Sequence, residues 1–363
     1  MIALRVGAAV VGVVLVVGTL SSAVRTMVVP RGIPSTIARV VFVGLRYVFR
    51  ALTSRARDYK AQDRIMALYA PLGLVALPVA WLTIVFVGYT LQYWGMAGGS
   101  LREALRLSGS SLFTLGFAAP HDLPRLALAF TEAAAGIGLL ALLITYLPTI
   151  YGVFARRETA VALLETRAGS PPSGPEFISR YYRIGWPGGF DSVWKDWQQW
   201  FAELEESHTS MPALVFFRSP QPDHSWVTAA GAVLDAAALV ISTVDGDRDP
   251  EAQLLVRSGY VSLRRLAAYF TIAFDPDPRP DDPVSVSRAE FDAACERMAA
   301  DGVPLRADRD QAWRDFAGWR VNYDTVLLAL AGYTDAPPAP WSSDRASPWR
   351  RPPLFSRRRQ AAV

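Results

Sequence analysis

The residues best placed to do chemistry lie in Ser108-Gly109-Ser110-Ser111-Leu112-Phe113-Thr114-Leu115-Gly116-Phe117-Ala118. This hydroxyl- and glycine-bearing stretch falls between two long apolar runs, 65–96 and 123–154. It is too short to span a bilayer. It predicts a helix that enters the membrane and a loop that returns, and lipid tolerates non-helical backbone only where protein or a water-filled path surrounds it. The arrangement therefore asks whether this stretch is a pore loop. Glu132 adds an acid within the second run, and an acid inside a membrane segment is a functional candidate by default. We expect it to bond Ser110, Ser111 or Thr131 and hold the loop in place. Gly136 and Gly138 offer either a hinge or close helix packing.

Other candidates are weaker. His208, with Ser207 and Thr209, and His224, with Asp223 and Ser225, pair histidines with hydroxyls and carboxylates as a hydrolase might. No Gly-x-Ser-x-Gly elbow or His-Glu-x-x-His accompanies them. His208 reads as a helix end, and Ser225 or Asp223 as the cap of the next helix. The chain is accordingly not expected to be an enzyme. Cys295 is the single cysteine, which leaves no internal disulfide and no cysteine-based metal site. No strand–Gly-x-Gly-x-x-Gly–helix unit is present to bind a nucleotide. No cofactor and no nucleic-acid partner are expected.

The elements that must position the loop follow from patterning. Hydrophobic residues make up 51% of the 363 residues and charged ones only 19%, below the globular norm of about 25%. One part therefore reads as membrane and another as soluble. Residues 6–24 carry no charge and suffice to cross ~30 Å of hydrocarbon. A signal peptide is the alternative there, with Arg5 as its n-region and Ser21-Ser22-Ala23 as a weak cleavage site. Residues 25–64 hold nine Lys/Arg against Asp58 and Asp63, a mark of the cytoplasmic side. Within them, 37–52 places Arg39, Arg46 and Arg50 on one face, which predicts a helix lying in the interface with its arginines towards anionic headgroups. The alternative is a spanning helix with snorkelling arginines. Pro71 and Pro78 are candidate kinks in 65–96, and Gly98-Gly99 ends that run. Ser100 and Glu103 then fit a capping box, so a short helix starts at Leu101 and runs to about Phe113. Small residues at 133–136 and 138 line the last run, and Arg156-Arg157 closes it.

From Glu158 the character changes. Residues 169–175 read as a linker. Helices are predicted at 191–206 with Asp191 as N-cap, at 224–244, 251–274 and 287–300, and as one unbroken helix at 308–331. Asp235, inside an apolar helix, is expected to pair with Arg257, Arg264 or Arg265. Trp186, Trp194, Trp197, Trp200 and Trp226 read as core. Few alternating patterns occur, so 176–335 is expected to be an all-α domain and 336–363 a disordered basic tail.

Ser108–Ala118 with its flanking runs resembles the pore helix and filter of two-transmembrane potassium-channel units. The family filter reads Thr-Val-Gly-Tyr-Gly-Asp, and Thr114-Leu115-Gly116-Phe117-Ala118-Ala119 stands in its place. The likeness covers about 65–155, including Glu132-Ala133 and Gly136 of the inner helix. It implies that the carbonyls of Thr114, Leu115, Gly116, Phe117 and Ala118 replace an ion's hydration shell, with Ser110, Ser111 and Glu132 as support. It also implies a homotetramer conducting a monovalent cation, potassium first. Three of the six positions weaken a claim of strict potassium selectivity. Ala118 replaces the second glycine, and an L-residue held left-handed costs about 1–2 kcal/mol. Phe117 lacks the tyrosine hydroxyl, and Ala119 replaces the aspartate at the mouth.

The sequence therefore predicts an all-α, multi-pass plasma-membrane protein. Its expected parts are an N-terminal spanning helix (1–24), a basic interfacial segment (25–64), a pore-loop unit (65–155), a linker (156–175) and a cytoplasmic helical domain (176–335). The expected partners are the lipid bilayer, a cation, three further copies and an unidentified cytoplasmic partner. A non-conducting scaffold or sensor built on the pore fold is the alternative.

Overall fold

The computed structural model describes residues 2–29, 35–54, 56, 58–96, 100–186, 188–247 and 249–346. Among these the chain is all-helical, with one isolated backbone pairing, Val244 to Leu305, and no strand. Among the described residues, four helical stretches are long and apolar enough to cross a membrane: Ile2–Met27, Tyr59–Met96, Leu123–Ala168 and Trp226–Thr243. The chain divides into two compact units. Met1–Gly152 with Ser210–Phe217 forms the first, and Val153–Thr209 with Arg218–Val363 the second.

In the first unit, α1 (Ile2–Met27) packs along α4 (Tyr69–Met96) through small residues. A Cβ on Gly12 would overlap the Gly88 carbonyl, and one on Gly95 would meet Ala9 and the Arg5 carbonyl. Such contacts let helices approach closely where burial alone gives no drive to associate. Trp81 Nε1 donates to Ser22 Oγ at 3.2 Å, and the Ser22 and Ser35 hydroxyls bond each other. The apolar run is interrupted at Leu68, between α3 (Tyr59–Ala67) and α4. Pro71 explains this, because it has no N–H to donate to the Ala67 carbonyl. Pro78 is accommodated inside α4. The break expected at Gly98-Gly99 lies outside the described residues.

Helix α2 (Thr36–Thr53), capped by Ser35, is not among the membrane-length stretches. Its buried face holds Phe49 and also Arg46, whose guanidinium lies 5.3 Å from the Phe216 ring centroid. Arg46 thus departs from the expected row of arginines facing headgroups. Arg39 and Arg50 are half-buried, and an outer stripe of Val40, Tyr47, Val48 and Leu52 is exposed.

The second unit is built around α9 (Trp226–Thr243), which contacts α7 (Gly174–Arg183), α10 (Pro250–Tyr269), α12 (Arg309–Arg320) and α13 (Asp324–Thr334). Its most apolar window is 89% buried, against 17% for α1 and 22% for α6 (Leu123–Ala168). The apolarity of α9 is explained by a protein core, that of the other two by exposure to a different solvent. Trp194, Trp197, Trp200 and Trp226 are core, whereas Trp186 is exposed and stacks on Tyr181.

Several predicted boundaries shift. The helix expected at 308–331 is two helices, α12 and α13, broken over Val321–Tyr323. The helix expected at 251–274 ends at Tyr269. Helix α8 (Phe190–Ser210) begins one residue before Asp191, so Asp191 lies in the first turn. The 169–175 stretch is a tight turn, with Ser173 capping α7 and Gly174 packed on Asp235 and Ala236. Of the expected disordered tail, 336–346 is ordered, with Trp341 and Ser342 buried. Residues 347–363 lie outside the described residues.

Candidate functional site

Helix α5 (Leu101–Leu112) begins where the capping pattern requires, Ser100 Oγ accepting from the Glu103 N–H at 3.2 Å. Its inner stripe is Ala104, Leu107, Ser108 and Leu112, all buried. Ser108 is the polar member of that stripe, so its hydroxyl must find a partner. It donates to Glu132 Oε1 at 2.5 Å, with the Phe86 carbonyl 3.1 Å away. Glu132 is wholly buried. Its partner is thus Ser108 rather than the expected Ser110, Ser111 or Thr131, and Thr131 instead bonds the Leu128 carbonyl. Glu132 Oε2 and the Tyr93 hydroxyl are both buried, and neither has a well-formed hydrogen bond. Gly136 brings α6 against the end of α5, since a Cβ there would overlap the Leu112 carbonyl. That is a packing role. Gly138 faces open space.

The loop leaves α5 through a Schellman turn. Leu115 N–H donates to the Ser110 carbonyl at 2.8 Å and Thr114 N–H to the Ser111 carbonyl at 3.1 Å. Thr114 occupies the left-handed position with φ 53°, where glycine is usual. Gly116 is left-handed as well, at φ 72°. Ala118 stays out of that region. Ser110 Oγ holds it on both sides, accepting its N–H and donating to its carbonyl, each at 3.0 Å. Ser110 thereby ties the loop's end to the helix before it. Phe113, Leu115 and Phe117 are 54%, 63% and 57% exposed. Three large apolar side chains are thus exposed within five consecutive residues.

The same turn occurs in the second unit. α10 ends with Thr271 at φ 56°, Ile272 N–H on the Ala267 carbonyl at 2.8 Å and Thr271 N–H on the Ala268 carbonyl at 3.2 Å. Left-handed Thr114 therefore follows from how α5 ends. Gly116 is the loop's own feature.

The histidines form no catalytic constellation. His208 is fully buried in α8, with Arg157 Nη1 at 2.9 Å from Nε2 and Ser207 Oγ at 3.0 Å from Nδ1. Burial and the Arg157 charge hold it well below the ordinary value, so it is neutral at pH 7. A neutral Nε2 then accepts from the guanidinium. His224 Nε2 lies 3.3 Å from Glu165, and Ser225, not Asp223, caps α9. Among the described residues no group of three or more His, Cys, Asp or Glu side chains could hold a metal ion.

Asp235 finds none of its expected partners. Arg320 bonds it and also Asp324 at 2.8 Å, and Tyr323 donates its hydroxyl to Asp235 at 2.8 Å. Arg320 also donates to the Trp341 carbonyl. Burial works against charge on both partners, but Asp235 and Asp324 hold Arg320 above its ordinary value, and that direction governs the network. Arg264 goes to Asn322 and Arg265 to Glu205. No signal of periodicity could have found Arg320, which lies 85 residues from Asp235.

No family model matches the chain, and no curated protein or solved structure is significantly similar to it.

Proposed function

We propose that the chain is one subunit of a homotetrameric cation channel of potassium-channel type, with Thr114–Phe117 at the ion path. One observation carries the reading. A short helix, braced from behind by a buried glutamate, ends in an exposed loop that lies in sequence between two membrane-length helices. A single loop cannot surround an ion, whereas four around an axis would cover Phe113, Leu115 and Phe117 and point carbonyls inward. The C-terminal, negative end of the α5 dipole favours a cation at that place. In this reading the basic 25–64 segment and the second unit are cytoplasmic, and 97–122 faces outside. The second unit then answers a cytoplasmic signal.

A non-conducting scaffold or sensor is the second reading, and Ala118 favours it. Its carbonyl is committed to Ser110 and its backbone does not supply the second left-handed position of a potassium filter. Reconstitution in liposomes separates the two. Cation flux in the wild type, or restored in Ala118→Gly, supports the channel. No flux in either contradicts it.

A further inference from the structure

The segment Ser210–Phe217 comes from the chain between α8 and α9, yet it folds with the first unit. Its 3-10 turn, Pro212–Phe216, buries Ala213, Leu214 and Val215, and Phe217 beside it is buried too. The turn packs against α4. Phe216 sets its ring edge-on to Tyr69 at 5.4 Å, within a cluster that includes Phe42, Phe49 and Met66, and lies under Arg46. Tyr69 in turn donates its hydroxyl to the Phe42 carbonyl at 2.9 Å. Phe217 sets its ring edge-on to Tyr151 of α6 at 5.6 Å. Two adjacent phenylalanines thus hold α2, the start of α4 and α6 together.

The hold on α6 falls at a weak place in that helix. Pro148, one turn before Tyr151, lies inside the helix and cannot donate to the Ile144 carbonyl. Thr145 and Thr149 turn their hydroxyls back to the carbonyls four residues earlier, at 3.0 Å each, a pattern that bends helices. Gly136 and Gly138, the hinge candidates read from sequence, show no such weakening. Sharp bends gather at proline and at disturbed ladders of this kind.

We propose that Ser210–Phe217 is a clamp that fixes the Thr145–Tyr151 turn of α6 to the bases of α2 and α4, so that displacing it frees α6 to bend at Pro148. By this device the segment between α8 and α9 would control the pore. The consequence for ion flow rests on the channel reading; the clamp itself does not.

The test uses the full chain in lipid nanodiscs and follows amide exchange along α6. In Phe216→Ala/Phe217→Ala, exchange over 145–151 should rise on the order of tenfold while 126–137 stays protected. Tyr151→Leu, which leaves the clamp's own core intact, should give the same localised rise. Phe216→Leu/Phe217→Leu, which keeps apolar bulk, should restore most of the protection. Unchanged exchange over 145–151, or an equal rise along all of α6, overturns the clamp. Flux is measured on the same samples. A localised rise in exchange with altered flux supports the gating role, and one with unaltered flux overturns it. A localised rise with no flux in any sample supports the clamp and counts against the channel reading alone.

Discussion

Two acids sit enclosed in apolar helices, Glu132 in α6 and Asp235 in α9, and they are braced in opposite ways. Asp235 faces a guanidinium, a phenol and, through Arg320, a second carboxylate. Glu132 has one neutral hydroxyl from Ser108, and its other oxygen lacks a formed bond. A buried charge matched by a fixed countercharge belongs to the architecture, since removing either partner strands the other. A buried acid held by neutral groups alone is less constrained. Asp235 accordingly belongs to the core of the second unit, whereas Glu132 joins α6 to α5 through Ser108.

The largest effect should separate these two. Asp235→Ala leaves Arg320 with Asp324 as its remaining carboxylate and takes the acceptor from the Tyr323 hydroxyl, and should destabilise the second unit by about 3 kcal/mol. Glu132→Gln keeps an oxygen to accept from Ser108, and its cost should be about 1 kcal/mol. Denaturant unfolding, with amide exchange to locate the loss, checks both. Equal costs would break the comparison.

The pH response sharpens it. His208 is held well below its ordinary value in the fold, so the unfolded chain takes up its proton first. Stability from this group is complete above about pH 6.5 and falls as pH drops below that value. Unfolding midpoints of the wild type should decline from pH 7 to pH 5, and His208→Gln should lessen the decline. An identical slope in the variant would mean that other groups carry it.

The smallest effect compares two copies of one turn. Thr114→Gly and Thr271→Gly each relieve a left-handed threonine, and each should stabilise by about 1 kcal/mol. Only Thr114→Gly should change ion flux. A matching change from Thr271→Gly would show that the loop is not special.

The local features of this fold were legible. The Ser100 cap, the all-helical class and the enclosed α9 follow from short-range patterning, which periodicity and capping report well. What failed was long-range. The break at Val321–Tyr323 places Arg320 and Tyr323 on Asp235, and Trp341 is held by Arg320 in what reads as a tail. Arg46 looked like a headgroup ligand because Phe216, which it covers, is 170 residues away. At the candidate site, the capped helix α5 was legible from its local pattern, and Glu132 stood out as an acid in an apolar run and is buried. The partner Ser108 was missed although its place in the α5 stripe pointed to it. Pro148 and the 210–217 segment were missed because neither looks unusual without its neighbours in space.

The central claim is that four copies bring Thr114–Phe117 around one axis. Cys295 is buried, so a spin label on Leu115→Cys in a Cys295→Ser background reports on the loop alone. Distances between labels in lipid nanodiscs should form two populations differing by about 1.4-fold, the side and diagonal of a square. A single short distance, or none within range, would contradict the tetrameric pore.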